Sequence, residues 1–245
     1  MKIADGVEML ELTASMMGRA SAFYPTLVWD AEVFVLIDTG YPGMFAELRE
    51  AVDRTGVGFS RLNRVILTHH DIDHIGNLAL IERELGQVRV LAYRDEIPYI
   101  NGEKRPLKLA QMEDTLDSLP PERRGFYERL KSGFQGATAP VDEALTDDQV
   151  LPFNGGMTVI HTPGHTIGHL SLYLNRSKTL ITGDALRVEN GVLIQTPASM
   201  NHDMDSYGQS LDKLAKFEIE TVVCYHGGLY RDHPSQRIAE LARAR

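Results

Sequence analysis

Cysteine is almost missing from this chain. Cys224 stands alone among 245 residues, so no disulfide can close within it and stability must come from an ordinary core. A lone cysteine agrees with a reducing compartment. Long apolar runs are missing too: no stretch approaches the ~18 apolar residues that read as a membrane span. Asp5, Glu8 and Glu11 interrupt the first residues where a secretory leader needs an unbroken apolar block. A cytoplasmic protein with no membrane contact is expected. Positive charge is scarce, with 25 Lys and Arg against 34 Asp and Glu and a formal charge of −9. Because phosphate affinity rests largely on Lys and Arg, no nucleic-acid partner is expected.

What is present is enough for a real core, since 43% of the residues are hydrophobic. "VEMLEL", "TLVWD", "VFVLIDTG", "RVILTH" and "VRVLAY" combine β-branched and aromatic residues between turn residues, which predicts short strands. "PGMFAELREAVDRTG" repeats Phe45, Leu48 and Val52 at helical spacing before Gly56. "IGNLALIERELG" places Ile75, Leu78, Ile81 and Leu85 on one face and predicts a helix ended by Gly86. Residues 94–148 break this rhythm. They are charged, contain Pro98, Pro106, Pro120, Pro121 and Pro140, and show helix-like pieces without a strand pattern. A mainly helical insertion on a single domain spanning 1–245 is expected there, of the kind that often serves as a lid or binding element. Strands resume with "MTVIHTP", "HLSLYLNR", "TLITGDAL", "GVLIQTP" and "TVVCYHGG", with helices predicted over "DMDSYGQSLDKLAKF" and "SQRIAELARAR". Strand clusters with helices in both halves suggest sheet packed on sheet with helices outside.

The chemistry concentrates at strand ends. Residues 68–76 read "THHDIDHIG" directly after an apolar strand. In an extended stretch His69, Asp71 and Asp73 share one side, and a turn at Asp73 and His74 would aim neighbouring side chains at two adjacent points. Alone, such a cluster reads equally as a solvated loop or as nitrogen and oxygen donors for divalent metals. Three later strands empty in the same way: His165 after Pro163 and Gly164, Asp184 after Gly183, and His226 before Gly227 and Gly228. Glycine beside each permits unusual backbone angles and close approach. Four such strand ends supply enough ligands for two metals.

This order of motifs resembles the metallo-β-lactamase superfamily of hydrolases. The family pattern H-x-H-x-D-H falls on residues 69–74, with Asp71 in place of the second His, followed by His165, Asp184 and His226. The resemblance implies an α/β (α+β) fold, an αββα sandwich of two mixed sheets flanked by helices with the metals at one edge. It implies that His69, Asp71 and His165 bind a first divalent metal, that Asp73, His74 and His226 bind a second, and that Asp184 bridges them. Asp38 is implied as a carboxylate that braces the metal loop. Zinc is the first expectation, and the oxygen donor of Asp71 opens the site to iron or manganese. His70 should point away from the metal side, and His169 reads as a buried hydrogen-bonding residue.

The implied activity is hydrolysis. A metal-bound hydroxide, oriented by Asp73 and shared through Asp184, would attack an ester, lactone, thioester, amide or phosphoester bond of a small molecule. The alternative is a catalytically weak metal-binding module acting through partners. There is no G-x-S-x-G segment to support a serine hydrolase. Family members that open acyl-homoserine lactones carry a tyrosine where this chain has Arg187, so that activity is not expected. Tyr99, Lys104 and Arg105 of the insertion, with Arg187, are the candidate substrate contacts. Nothing in the sequence sets an oligomeric state.

Overall fold

Most strands of this chain are apolar on both faces, and the structure shows why: each sheet is covered twice. In the computed structural model, residues 1–16, 19–114, 116 and 120–244 are described. The first sheet runs in the order β1 (Lys2–Ala4), β2 (Val7–Met9), β5 (Thr26–Trp29), β6 (Phe34–Ile37), β7 (Arg64–Leu67), β8 (Arg89–Tyr93) and β9 (Glu143–Leu145). Strands β3 (Leu12–Met16) and β4 (Arg19–Phe23) form a separate hairpin. The second sheet runs β10 (Val150–Leu151), β11 (Met157–His161), β12 (Leu170–Leu174), β13 (Thr179–Ile181), β16 (Thr221–Cys224) and β17 (Gly228–Tyr230), and β14 (Leu186–Glu189) pairs with β15 (Val192–Gln195) as a second hairpin. Both sheets are mixed. β6 to β9 run parallel and β13 is parallel to β16, while the other pairs are antiparallel.

Side-chain alternation then builds the layers. Val35, Ile37, Ile66 and Leu91 of the first sheet meet Val159, Leu172, Ile181 and Val223 of the second in a core between the sheets. Their neighbours Leu36, Val65, Leu67 and Val90 point the other way, onto α1 (Phe45–Arg54), α2 (Ile72–Ile75) and α3 (Leu78–Leu85). Ile160, Leu180, Val222 and Cys224 face outwards from the second sheet, onto α7 (Met204–Leu214) and α8 (Pro234–Arg243). The result is the expected αββα sandwich. Among the described residues no helix is long and apolar enough to cross a membrane.

Two expectations need correcting. The helix foreseen over "IGNLALIERELG" ends at Gly86 as expected but starts later, as α3 from Leu78; Ile75 instead closes α2, and Asn77 between them donates from Nδ2 to the carbonyls of Thr39 (2.7 Å) and Tyr41 (3.0 Å). The helical insertion foreseen over 94–148 is narrower. It holds α4 (Ile97–Ile100), α5 (Leu107–Glu113) and α6 (Pro121–Ala137), after which the chain rejoins the first sheet as β9. A three-residue edge strand is too short to show alternation, and only its parallel pairing with β8 defines it.

Leu172 lies fully buried between the sheets. Leu172→Ala should cost about 2–5 kcal/mol, the range for a large-to-small change in a packed core, read as a lower urea midpoint with an unchanged slope.

Candidate metal centre

Parallel strands release their chains at the same edge. β6 and β7 are in register through Ile37 and Ile66, so Asp38 and Thr68 emerge side by side. β13 and β16 are in register through Ile181 and Val223, so the loops carrying Asp184 and His226 emerge together on the facing sheet. The β11–β12 loop brings His165 to the same edge, and Leu170 N donates to Thr68 O (3.0 Å), tying the two sheets there.

At this edge all seven predicted ligand side chains converge in two groups. Donor atoms of His69, Asp71, His165 and Asp184 lie within 4.8 Å of one another, as do those of Asp73, His74 and His226. Asp71 Oδ2 lies 3.3 Å from His69 Nε2 and 3.0 Å from His165 Nε2. Asp184 faces both groups, with Oδ2 3.4 Å from both His165 Nε2 and His226 Nε2 and Oδ1 3.2 Å from His74 Nε2. His226 Nε2 is also 3.4 Å from Asp73 Oδ2. His69 and Asp71 keep the one-sided arrangement expected for an extended stretch, and Asp73 does not. Asp71 is the last extended residue, and the turn of α2 carries Asp73 and His74 round to the second group.

Buried partners orient the imidazoles. Asp38 holds a left-handed backbone conformation (φ 61°). It accepts from Thr68 N at Oδ1 (2.9 Å), and from Thr68 Oγ1 (2.8 Å) and His74 Nδ1 (2.8 Å) at Oδ2. With its proton given to Asp38, Thr68 Oγ1 is left to accept from His69 Nδ1 at 3.0 Å. Both rings thus spend Nδ1 on support and turn Nε2 inwards, the arrangement that metal-ligating histidines require. His74 Nε2 and Asp184 Oδ1 are buried and face each other at 3.2 Å without a well-formed hydrogen bond. Buried polar atoms are normally fully hydrogen-bonded, so a cation shared by these two would suit them.

The electrostatics point the same way. Burial opposes charge on Asp184 and Asp71, yet His226 and His74 hold the first well below the usual carboxylate range, and Lys108 and His165 do the same for the second. Burial also opposes the imidazolium of His226, but Asp184 and Asp73 outweigh it and push that ring up to about 9. His69 goes the other way, held well below the usual range by burial and by the neighbouring His74. A neutral ring with Nε2 inwards is a ready nitrogen donor.

His70, His169 and Gly183 take the places read for them in the sequence, whereas Glu96, Thr166 and Tyr225 carried no signal there. His70 turns away from the centre and meets Glu96, whose side chain is fully buried. Glu96 Oε2 also accepts from His70 N (2.8 Å), while Oε1 accepts from Thr166 Oγ1 (2.7 Å) and Gly168 N (2.7 Å), so one carboxylate joins the His69–His74 loop to the His165 loop. His169 Nε2 accepts from Asp184 N (3.0 Å), and Nδ1 donates to Thr162 O (3.1 Å). This ring must stay neutral, and burial pushes it down to about 3. Tyr225 packs under His74 with ring centroids 3.8 Å apart and donates to Asp73 O. Gly183 is needed beside Asp184: its φ is +51°, and a Cβ there would stand 2.7 Å from His169 Nε2.

The candidate substrate contacts fall elsewhere. Tyr99 is buried and stacks on His70 at 4.4 Å. Lys104 and Arg105 line a hollow of about 530 Å³ with Tyr99, Leu109, Lys131 and Phe134, and none of the seven clustered His and Asp residues borders it. Arg105 is paired with Glu113, and Arg187 with Glu189 (3.1 Å) on its own hairpin. The insertion side chain that does reach the centre is Lys108 of α5, bound to Asp71.

Comparison with known proteins agrees with this geometry. The model of the Metallo-beta-lactamase superfamily matches residues 24–226. A probable metallo-hydrolase of Bacillus subtilis, YflN, is 33% identical over 223 residues, covering 85% of this chain and 80% of that protein. A hydroxyacylglutathione hydrolase of Cereibacter sphaeroides is 26% identical over 67% of this chain and 48% of the enzyme. Among solved structures, the metallo-beta-lactamase family protein TTHA1429 of Thermus thermophilus superposes with a TM-score of 0.74 at 24% identity, covering 98% of this chain and 79% of that one.

Glu96→Ala removes four contacts at once and strands His70 in the interior. It should cost about 3–5 kcal/mol, as breaking one side of a buried charged pair does, measured by chemical denaturation. Glu96→Gln should recover part of that loss, since an amide oxygen can still accept from Thr166 and Gly168.

Proposed function

Because the chain belongs to the metallo-beta-lactamase superfamily, we propose that its seven clustered residues hold two divalent metal ions and that it hydrolyses a small molecule. The observation that carries this reading is the gathering of seven buried or half-buried His and Asp side chains into two adjoining donor groups, with His74 Nε2 and Asp184 Oδ1 inward at their junction and without a well-formed hydrogen bond. His69, Asp71 and His165 would hold one ion, Asp73, His74 and His226 the other, with Asp184 common to both. Four imidazoles and three carboxylates suit zinc first, and the oxygen share admits iron or manganese. When bound, such ions supply Lewis acidity, which polarises a substrate oxygen and lowers the pKa of water.

The chain's own residues keep that chemistry in place. Asp38 and Thr68 hold His74 and His69 with Nε2 inwards. His169 orients the backbone at Asp184, and Glu96 keeps the two ligand loops together. Asp73, partly exposed beside His226, would orient water at the open side. Ester, lactone, thioester, amide and phosphoester bonds all remain within this chemistry. The relative named for hydroxyacylglutathione hydrolysis supports testing thioesters. The lone, buried Cys224 supports a cytoplasmic site of action. No observation favours a non-catalytic module.

The experiment is metal analysis of the purified chain, joined to a screen of those five bond types. Asp184→Asn should lower metal content in both groups and reduce hydrolysis by more than the ~10–100-fold that losing a mere supporting partner costs. Asp38→Ala should fall within that ~10–100-fold range for metal affinity. Full metal and full activity in Asp184→Asn would reject the assignment.

Proton competition gives an independent check. A ligating His226 must be neutral, yet without metal it is pushed up to about 9. At pH 7 zinc must therefore displace its proton. Apparent zinc affinity should rise with pH until about 9, with protons released on binding, measured by calorimetry in two buffers of different ionisation enthalpy. Equal heats in both buffers would contradict it.

A further inference from the structure

Position 71 carries a carboxylate where the superfamily pattern has an imidazole. That exchange adds a negative charge at a residue only 2% exposed. A buried carboxylate beside two others calls for compensation. The compensation comes from the insertion. Lys108 on α5 reaches across so that Nζ binds Asp71 Oδ2, although its side chain as a whole is 45% exposed. The oxygen it binds is the one that faces His69 Nε2 and His165 Nε2. Among the described residues, no other Lys or Arg is ion-paired with Asp71, Asp73 or Asp184.

We propose that Lys108 and Asp71 act as one unit, a carboxylate with its own counter-charge in place of a neutral imidazole, and that Lys108 sets the metal affinity of the first group. Asp71 and Lys108 together carry no net charge, as a neutral histidine would. Lys108 lowers affinity in two ways: it occupies the donor oxygen, and it puts a positive charge beside an incoming cation. Both effects have the same sign. The inference rests on the proposed metal centre but not on hydrolysis.

The test is zinc titration of the metal-stripped full chain against a competing chelator, with the first group identified as the binding step that Asp71→Ala abolishes. Lys108→Gln should tighten that step by about tenfold or more, given the strength of charge interactions at a partly buried site. Lys108→Arg, which keeps the cation, should stay near wild type. Asp71→His alone leaves Lys108 uncompensated and should weaken the step, and Asp71→His with Lys108→Gln should restore it. Lys108 lies on a helix surface, and Lys108→Met offers a second neutral variant if Lys108→Gln is unstable by circular dichroism. An unchanged first step in both neutral variants, or effects of the two positions that simply multiply, would overturn the proposal. A wild-type chain that binds two zinc ions yet hydrolyses nothing would remove the proposed activity and leave this inference standing. A wild-type chain that binds no zinc would remove both.

Discussion

Three carboxylates and four imidazoles crowd one largely closed space at the edge of two sheets, and the local structure around them answers the cost of that crowding. Asp71, Asp73 and Asp184 cannot share a poorly solvated volume unless positive charge balances them. In this chain the balance comes from His74, His226 and Lys108. His74 Nε2 and Asp184 Oδ1 meet at the junction of the two groups, 3.2 Å apart.

The sandwich exists, functionally, to make such a cluster rigid. The strands that lead into the clustered residues are covered on both faces, so their ends cannot drift without disturbing a packed core. The loops that leave those strands are then fastened by buried polar groups rather than by one another. Asp38 grips Thr68 and His74, Glu96 spans two loops, and His169 holds the turn at Asp184. Burying these supports in a poorly solvated layer strengthens each bond and makes each loss expensive.

The helical insertion is tied into this arrangement. Tyr99 stacks on His70, Leu107 N approaches His70 Nε2 at 3.5 Å, and Lys108 binds Asp71. The segment is therefore electrically part of the centre as well as a neighbour to it. Its hollow, lined by Lys104, Arg105 and Lys131, lies apart from the donor groups, so the charged residues most visible in the sequence are not those that touch the site.

By itself the sequence pointed to the layer architecture and to the seven His and Asp residues that gather at one edge. Unbroken apolar runs such as Phe34–Ile37 and residues 222–224 record burial on both faces, and His or Asp beside glycine at strand ends marks the candidate edge; both signals are local and survive in one dimension. The family resemblance implied how those residues divide into two groups, and the tertiary structure supplied the physical cause: a single helical turn at Ile72–Ile75 carries Asp73 away from Asp71. The tertiary structure alone revealed Glu96, β9 and Lys108. An isolated glutamate, a three-residue strand and one lysine among many have no periodicity to announce them. Their roles arise from contacts with residues far along the chain, 70 positions away for Glu96 and Thr166 and 37 for Lys108 and Asp71, and such contacts exist only once the sheets have brought the loops together.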